Sequence, residues 1–309
     1  MTRLIPAEVV QPKTASDDPR LGRILGSHIG PRDTPDVVML GFPSDEGVRR
    51  NGGRVGAALG AAAIRSALYR LAPDARSPRF DELLGRTRDL GDVEISGDVA
   101  ADQQRLAEVL NPYIELGCFC VVLGGGHETS YGHFLGYVRA GRRVEILNWD
   151  AHADVRELVG GQGHSGSPFR QAVEDRSGAC RRYSVAGLQP HSVAREHVAF
   201  VERHGRAVWR DDVTPERIAQ LYRSTEGPAF VSFDLDAVNE AEAPGVSAPN
   251  AAGLSSDLWI EAAYQAGRSP TVSSADIVEL NPAVDRDGQT ARLAAVTVWW
   301  LLRGRSERR

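Results

Sequence analysis

The sequence predicts an α/β fold, a parallel sheet covered on both faces by helices. Three observations carry that expectation. Short apolar runs alternate with stretches whose apolar residues recur at helical spacing. The run between 118 and 123 reads as a buried strand and that between 144 and 149 as another, which suits a parallel sheet covered on both faces. Acidic and histidine residues stand just past the ends of the predicted strands, where open α/β sheets place their ligand sites.

Residues 1–36 are rich in Pro, Gly, Asp and Arg and read as an irregular N-terminal arm. Residues 37–42 read as a strand. Residues 57–71 are Ala-rich, with Ile64, Leu68 and Leu71 at helical spacing, and 103–116 repeat the pattern with Leu106, Val109, Leu110 and Ile114. Residues 118–123 (CFCVVL) form a strand that runs into three glycines. Residues 144–149 form another, ending at Asp150. Shorter candidates lie at 184–188 and 207–209. Residues 230–235 (FVSFDL) run into acidic residues, 272–279 form the last strand, and 290–302 a closing helix. No linker, repeat or low-complexity tract interrupts this order, so residues 37–309 are expected to form one catalytic domain.

The chain has 309 residues, of which 25% are charged and 42% hydrophobic, with a formal net charge of −5. That balance disfavours a nucleic-acid partner, which needs a basic face. The arginines at 303, 305, 308 and 309 read as a short, frayed, solvated tail. Cys118, Cys120 and Cys180 show no disulfide spacing and suit a reducing compartment; Cys118 and Cys120, two apart, would point into the core. The opening residues, MTRLIPAEVVQPK, hold no secretion signal, and the apolar run 294–302 is too short to span a bilayer. A cytoplasmic protein with no membrane partner is expected.

Three segments carry the chemistry: Gly124-Gly125-Gly126-His127-Glu128, Asp150-Ala151-His152-Ala153-Asp154 and Asp234-Leu235-Asp236. The glycine turn lacks the Gly-Lys-Ser/Thr ending of a phosphate loop. The D-x-H-x-D segment sets three hard ligands on alternate positions, which project to one side of an extended backbone. Carboxylates so placed repel one another unless a cation sits among them. Imidazole with many carboxylates and no thiolate suits Mn²⁺, with Fe²⁺, Co²⁺ or Ni²⁺ behind it. Four carboxylates neutralise two divalent ions, and two ions roughly 3.5–4 Å apart can share and acidify a water.

Taken together, GGGHE, NWDAHAD, SFDLDAVNEAEAPGVSAP and DIVELNP resemble the ureohydrolase family of arginases, agmatinases, guanidino-acid hydrolases and formiminoglutamases, from about Val37 to Leu302. The resemblance implies a three-layer α/β/α sandwich around a parallel sheet, a homo-oligomer and two Mn²⁺ per subunit. One ion would take His127, Asp150, Asp154 and Asp234, the other Asp150, His152, Asp234 and Asp236, with Asp150 and Asp234 bridging. Asp154 would also move a proton, and Glu279 of E-L-N-P would hold the amidinium or guanidinium of a small-molecule substrate.

The substrate-side residues resemble formiminoglutamases most. Arg156 stands where arginase-like sequences carry asparagine, and a guanidinium there would grip a carboxylate. Ser165-Gly166-Ser167-Pro168-Phe169-Arg170 is similar to the S-G-T-P-F-R of formiminoglutamases, which makes Ser165 and Arg170 substrate-side candidates. Agmatinases have a proton-shuttling histidine where Ser165 stands; His164, one position earlier, either reaches the site as a catalytic group or is a polar loop residue. Arg49, Arg50 and Arg54, in the segment 45–56, could meet substrate carboxylates. These residues imply hydrolysis of N-formimino-L-glutamate to L-glutamate and formamide. A guanidino-acid hydrolase, or an agmatinase or arginase, is the enzymatic alternative. A catalytically silent binding protein on the same fold is the other.

Overall fold

Side chains that alternate between two apolar faces build the sheet. The computed structural model describes residues 2–7, 13 and 17–308. Among them nine strands form one sheet: β1 (Leu4–Ile5), β2 (Val37–Gly41), β3 (Thr87–Val93), β4 (Phe119–Leu123), β5 (Val144–Trp149), β6 (Cys180–Leu188), β7 (Ala207–Trp209), β8 (Ala229–Asp234) and β9 (Val272–Val278). Their order is β1-β3-β2-β4-β9-β8-β5-β6-β7. Every neighbouring pair is parallel except β1 with β3.

The helices are α1 (Leu21–Ile24), α2 (Glu46–Arg50), α3 (Gly60–Leu68), α4 (Pro78–Gly85), α5 (Val99–Glu115), α6 (Thr129–Arg139), α7 (Pro168–Glu174), α8 (Arg195–His204), α9 (Pro215–Arg223), α10 (Ser256–Arg268) and α11 (Gln289–Arg305). On one face Met39, Val121 and Trp149 pack with Ile64 of α3, Trp259 of α10 and Val298 of α11. On the other, Val38, Cys120 and Val122 meet Leu106 and Leu110 of α5, and Val144 and Ile146 meet Phe134 and Tyr137 of α6. This is the expected three-layer α/β/α sandwich around a mostly parallel sheet. No helix among the described residues is long and apolar enough to cross a membrane. All three cysteines are free.

The predicted strands and helices fall close to their positions, and the departures have local causes. The sequence reading left out α6–α10, although α8, α9 and α10 carry their apolar residues on one side. Their starts are nonetheless marked: Thr214 caps α9 by accepting from the Arg217 N–H at 3.2 Å, and Ser255 caps α10. Pro168 and Pro215 stand in the first turns of α7 and α9.

Two expectations need correction. The N-terminal residues are not an irregular arm throughout: β1 adds an antiparallel edge strand to β3, and the fully buried Leu21 of α1 donates its N–H to the Leu71 carbonyl at 2.9 Å. Met1, residues 8–12 and residues 14–16 lie outside the described residues. Nor is the basic tail frayed. Arg303 pairs with Asp74 at 2.9 Å, and Arg308 donates to the Gly267 and Ala266 carbonyls while lying over the Phe119 ring. Arg309 lies outside the described residues.

Strand β3 (TRDLGDV) has no strand-like pattern because its polar side chains serve a buried cation. Arg65 of α3, fully buried, donates to Asp89 at 2.8 Å, to Asp92 at 2.5 Å and to the Gly91 carbonyl at 2.7 Å. Tyr69 adds its hydroxyl to Asp89 at 2.6 Å. Arg65→Met leaves two carboxylates without their shared partner. Losing one side of a buried pair costs roughly 3–5 kcal/mol, so urea unfolding is expected to shift by at least the lower figure; a shift below about 1 kcal/mol would remove this cluster from the account of β3.

Candidate metal centre

Ligand-type side chains arrive at one place because four strands of the sheet end there side by side. Beyond β4 the glycine turn lies against residue 44: a Cβ on Gly125 would stand 1.8 Å from the Ser44 carbonyl oxygen. Only glycine fits, and the turn then delivers His127, whose N–H donates to Glu279 Oε1 at 2.8 Å. Asp150 follows β5 and folds its carboxylate back onto the His152 N–H at 2.7 Å. Asp234 ends β8 and does the same with the Asp236 N–H at 2.9 Å. Each such bond fixes a carboxylate before any ligand arrives.

The side chains form two clusters of possible metal ligands that share Asp150. His127, Asp150, Asp154 and Asp234 make the first; Asp150, His152 and Asp236 make the second. His127 Nδ1 lies 2.8 Å from Asp234 Oδ2, 2.9 Å from Asp154 Oδ2 and 3.5 Å from Asp150 Oδ2. This buried nitrogen makes no well-directed hydrogen bond among the described residues, and neither does Asp236 Oδ1. His152 Nδ1 stands 3.2 Å from Asp236 and 3.3 Å from Asp150. Asp154 and Glu279 hold backbone φ angles of 46° and 66°, a region disfavoured for residues other than glycine and concentrated at functional sites.

The electrostatics agree with a cation at this place. Burial, reinforced by the charges of Asp236 and Asp150, drives Asp234 well above the carboxylate range. Burial likewise lifts Asp236 to about 6. Asp150 goes the other way: burial opposes, but the hydrogen bond from His152 and the charge of His127 prevail. His127 rises despite its burial because Asp234 and Asp154 face it. Carboxylates gathered in this way favour positive charge among them, and the unpaired Nδ1 aimed among three carboxylate oxygens fits a divalent ion of the hard, Mn²⁺-like kind.

A cavity of about 210 Å³ opens on the cluster. His152, Asp154, Asp236, Glu279, Arg156 and Ser165 all line it. Glu279 is lifted to about 8 by burial and by the neighbouring Glu128.

The arginase family model matches residues 35–303. The chain belongs to the arginase family. Its relatives include the formimidoylglutamase of Chromobacterium violaceum, 37% identical over 87% of this chain and 88% of that protein. The formimidoylglutamase of Nocardia farcinica is 36% identical over 91% of both. The crystal structure of Trypanosoma cruzi formiminoglutamase with Mn²⁺ superposes with a TM-score of 0.86 at 33% identity, covering 95% of this chain and all of that one.

Within this arginase-family chain the substrate-side expectations divide. Arg156 and Ser165 line the cavity, joined by Asn51, which donates to Ser165 Oγ at 3.1 Å and accepts from Arg156 at 3.4 Å. Arg49, Arg50, Arg54 and Arg170 do not line it, because each guanidinium already has partners in the protein. Arg49 and Arg50 hold Glu46, Arg54 holds the Val246 and Ser247 carbonyls, and Arg170 holds Glu174 and the Val155 carbonyl. His164 is also turned away: Nδ1 accepts from the Gly166 N–H at 3.2 Å, and Nε2 meets the Glu157 carbonyl at 3.0 Å. Of its two readings, the polar loop residue is the one this geometry matches. Asn51 and Ser247 were missed. Both line the cavity and sit inside motifs quoted for other residues, where a neutral Asn after two arginines, or a lone Ser in a loop, gives no signal of its own.

The clusters predict unequal losses of metal. By calorimetric titration with Mn²⁺, His127→Ala should weaken one binding event, and Asp150→Ala should weaken both. Equal effects of the two changes would contradict the shared position of Asp150. Because Asp234, Asp236 and His127 all hold protons that a cation must displace, affinity should fall as pH is lowered toward 6 and more steeply below it, by about tenfold per unit for each proton displaced.

Proposed function

We propose that this chain hydrolyses N-formimino-L-glutamate to L-glutamate and formamide, with two Mn²⁺ ions per subunit. One observation carries the reading: a single cavity is lined both by ligand-cluster residues and by Arg156 and Glu279. The formimidoylglutamase relatives support the same substrate. The first ion would be held by His127, Asp150, Asp154 and Asp234. The second would be held by Asp150, His152 and Asp236, with Asp234 Oδ1 turned toward the Asp236 backbone on that side. A homo-oligomer working in the cytoplasm belongs to the same reading, and the three free cysteines accord with a reducing compartment.

When bound, the two cations supply Lewis-acid activation of water near neutral pH and positive charge for the oxygen that develops charge. The chain's own residues do the rest. Glu279, buried and held by the His127 N–H, takes the protonated formimino group, whose charge satisfies a carboxylate otherwise lifted by burial. Protonation of that group also makes its carbon more electrophilic. Asp154 accepts the proton that the attacking water loses and returns it to the leaving nitrogen, which departs as the amine of glutamate. The former imino nitrogen stays on carbon and leaves as formamide. Arg156, steadied by Asn51, holds a glutamate carboxylate at the open side of the cavity.

A substrate panel of formiminoglutamate, guanidinobutyrate, guanidinopropionate, arginine and agmatine, with Mn²⁺-loaded protein, tests this reading. Formamide from formiminoglutamate is expected; ammonia with N-formylglutamate, or urea as the faster product, would replace the proposal with another.

Two substitutions separate binding from chemistry. Glu279→Gln should depress kcat by at least about a hundredfold, in the range of a lost positioned catalytic group, while metal content by elemental analysis is unchanged. Arg156→Ala should raise KM for formiminoglutamate about ten- to a hundredfold, the size of a lost charged hydrogen bond. An unaltered KM would leave Arg156 a surface residue.

A further inference from the structure

The D-I-V-E-L-N-P segment contains a second acid, Asp276, that the chemistry above does not use. It is fully buried on β9, beside Ser232 of the neighbouring β8. Its carboxylate accepts from Ser232 Oγ at 2.5 Å, from Ser130 Oγ at 3.1 Å and from His133 Nδ1 at 2.9 Å. Ser130, His133 and Tyr137 recur along one face of α6, and Ser274 and Asp276 along one face of β9. The network is thus written into α6 and β9, with Ser232 of β8 joining it to His127. It continues from His133 Nε2 to Ser274 Oγ at 2.7 Å and from there to the Tyr137 hydroxyl at 2.6 Å. Phe230 stacks on the His133 ring, 4.4 Å between centroids, and packs against one of its faces.

We propose that Asp276, acting through Ser232, fixes His127 as the Nε2–H tautomer and so aims a bare Nδ1 at the carboxylate cluster; this rests on His127 being a metal ligand. The proton count decides it. Ser232 has one hydroxyl proton, and the carboxylate 2.5 Å away takes it. Toward His127 Nε2, 3.0 Å distant, the Ser232 oxygen can then only accept. With an ion bound, the one proton left on the imidazole would therefore sit on Nε2, freeing for the ion Nδ1, the atom 2.8 Å from Asp234 and 2.9 Å from Asp154. His133 and Ser130 hold Asp276 in place, which gives them, Ser232 and Asp276 positioning roles. Partners behind a metal-binding histidine commonly tune its affinity about 10–100-fold.

Two measurements on the full chain test this. In Zn²⁺-loaded, ¹⁵N-histidine-labelled protein, with His127 assigned by comparison with His127→Gln, the proton is expected on Nε2; a proton on Nδ1 overturns the proposal. Asp276→Asn keeps the shape but can present a donating amide to Ser232, turning the hydroxyl proton toward His127. Calorimetric titration with Mn²⁺ should then show one of two binding events weakened about 10–100-fold and the other unchanged. A folded variant with both affinities unaltered, or both equally weakened, overturns the proposal. If Asp276→Asn does not fold, Ser232→Ala replaces it, with the same selective loss expected. Wild-type protein that binds no Mn²⁺ would refute the metal centre and this proposal with it. That result is distinct from two normal binding events that Asp276→Asn leaves alone.

Discussion

Mutual repulsion among four aspartates, three buried and Asp154 partly so, is the constraint on which the structure turns. Asp150, Asp154, Asp234 and Asp236 meet in a region with little water to screen them. A sheet is suited to hold such groups, because the strands beneath them are clamped on both faces by apolar layers and cannot yield. Local hydrogen bonds complete the restraint. Asp150 and Asp234 each accept the N–H two residues on, which fixes their carboxylates from within their own loops. The uncomfortable φ angles of Asp154 and Glu279 persist for the same reason, since the surrounding bonds leave no other conformation open.

Around that centre the polar groups form two distinct shells of support. Beneath it, the serine–aspartate–histidine network runs between β8, β9 and α6 and is fully buried. Beside it, Glu128 reaches from the glycine turn that carries His127 to the segment before α3, accepting from the Gly47 N–H at 2.8 Å and from the Ser44 hydroxyl. Burial lifts Glu128 to about 7. The first support orients a ligand; the second ties the substrate side of the cavity to the metal side.

The parts of the molecule legible in the sequence were those specified by neighbouring residues. D-x-H-x-D and D-x-D declare themselves because ligand type and spacing are both local, and the central strands do so because their apolar runs are continuous. What could not be read depended on distant partners. Arg49, Arg54 and Arg156 look alike in the chain, yet Arg49 is held by Glu46, Arg54 by the 246–247 carbonyls, and only Arg156 faces the cavity. Strand β3 was invisible because its acids answer to Arg65, on a helix well upstream in the chain. His164 was equivocal for a related reason, since a loop's path decides whether an imidazole meets a substrate or its own backbone.

The bond between Glu128 and Gly47 bears on how this enzyme scaffold could be re-engineered. A Cβ at position 47 would stand 2.5 Å from the Glu128 carboxyl carbon, so that carboxyl occupies the volume any larger residue would need. Grafting the 45–56 segment of a relative onto this chain to change its substrate would therefore succeed only when glycine and glutamate are transplanted as a pair. Diversity libraries built there should leave position 47 invariant and spend their variation first on 49, whose side chain is largely exposed.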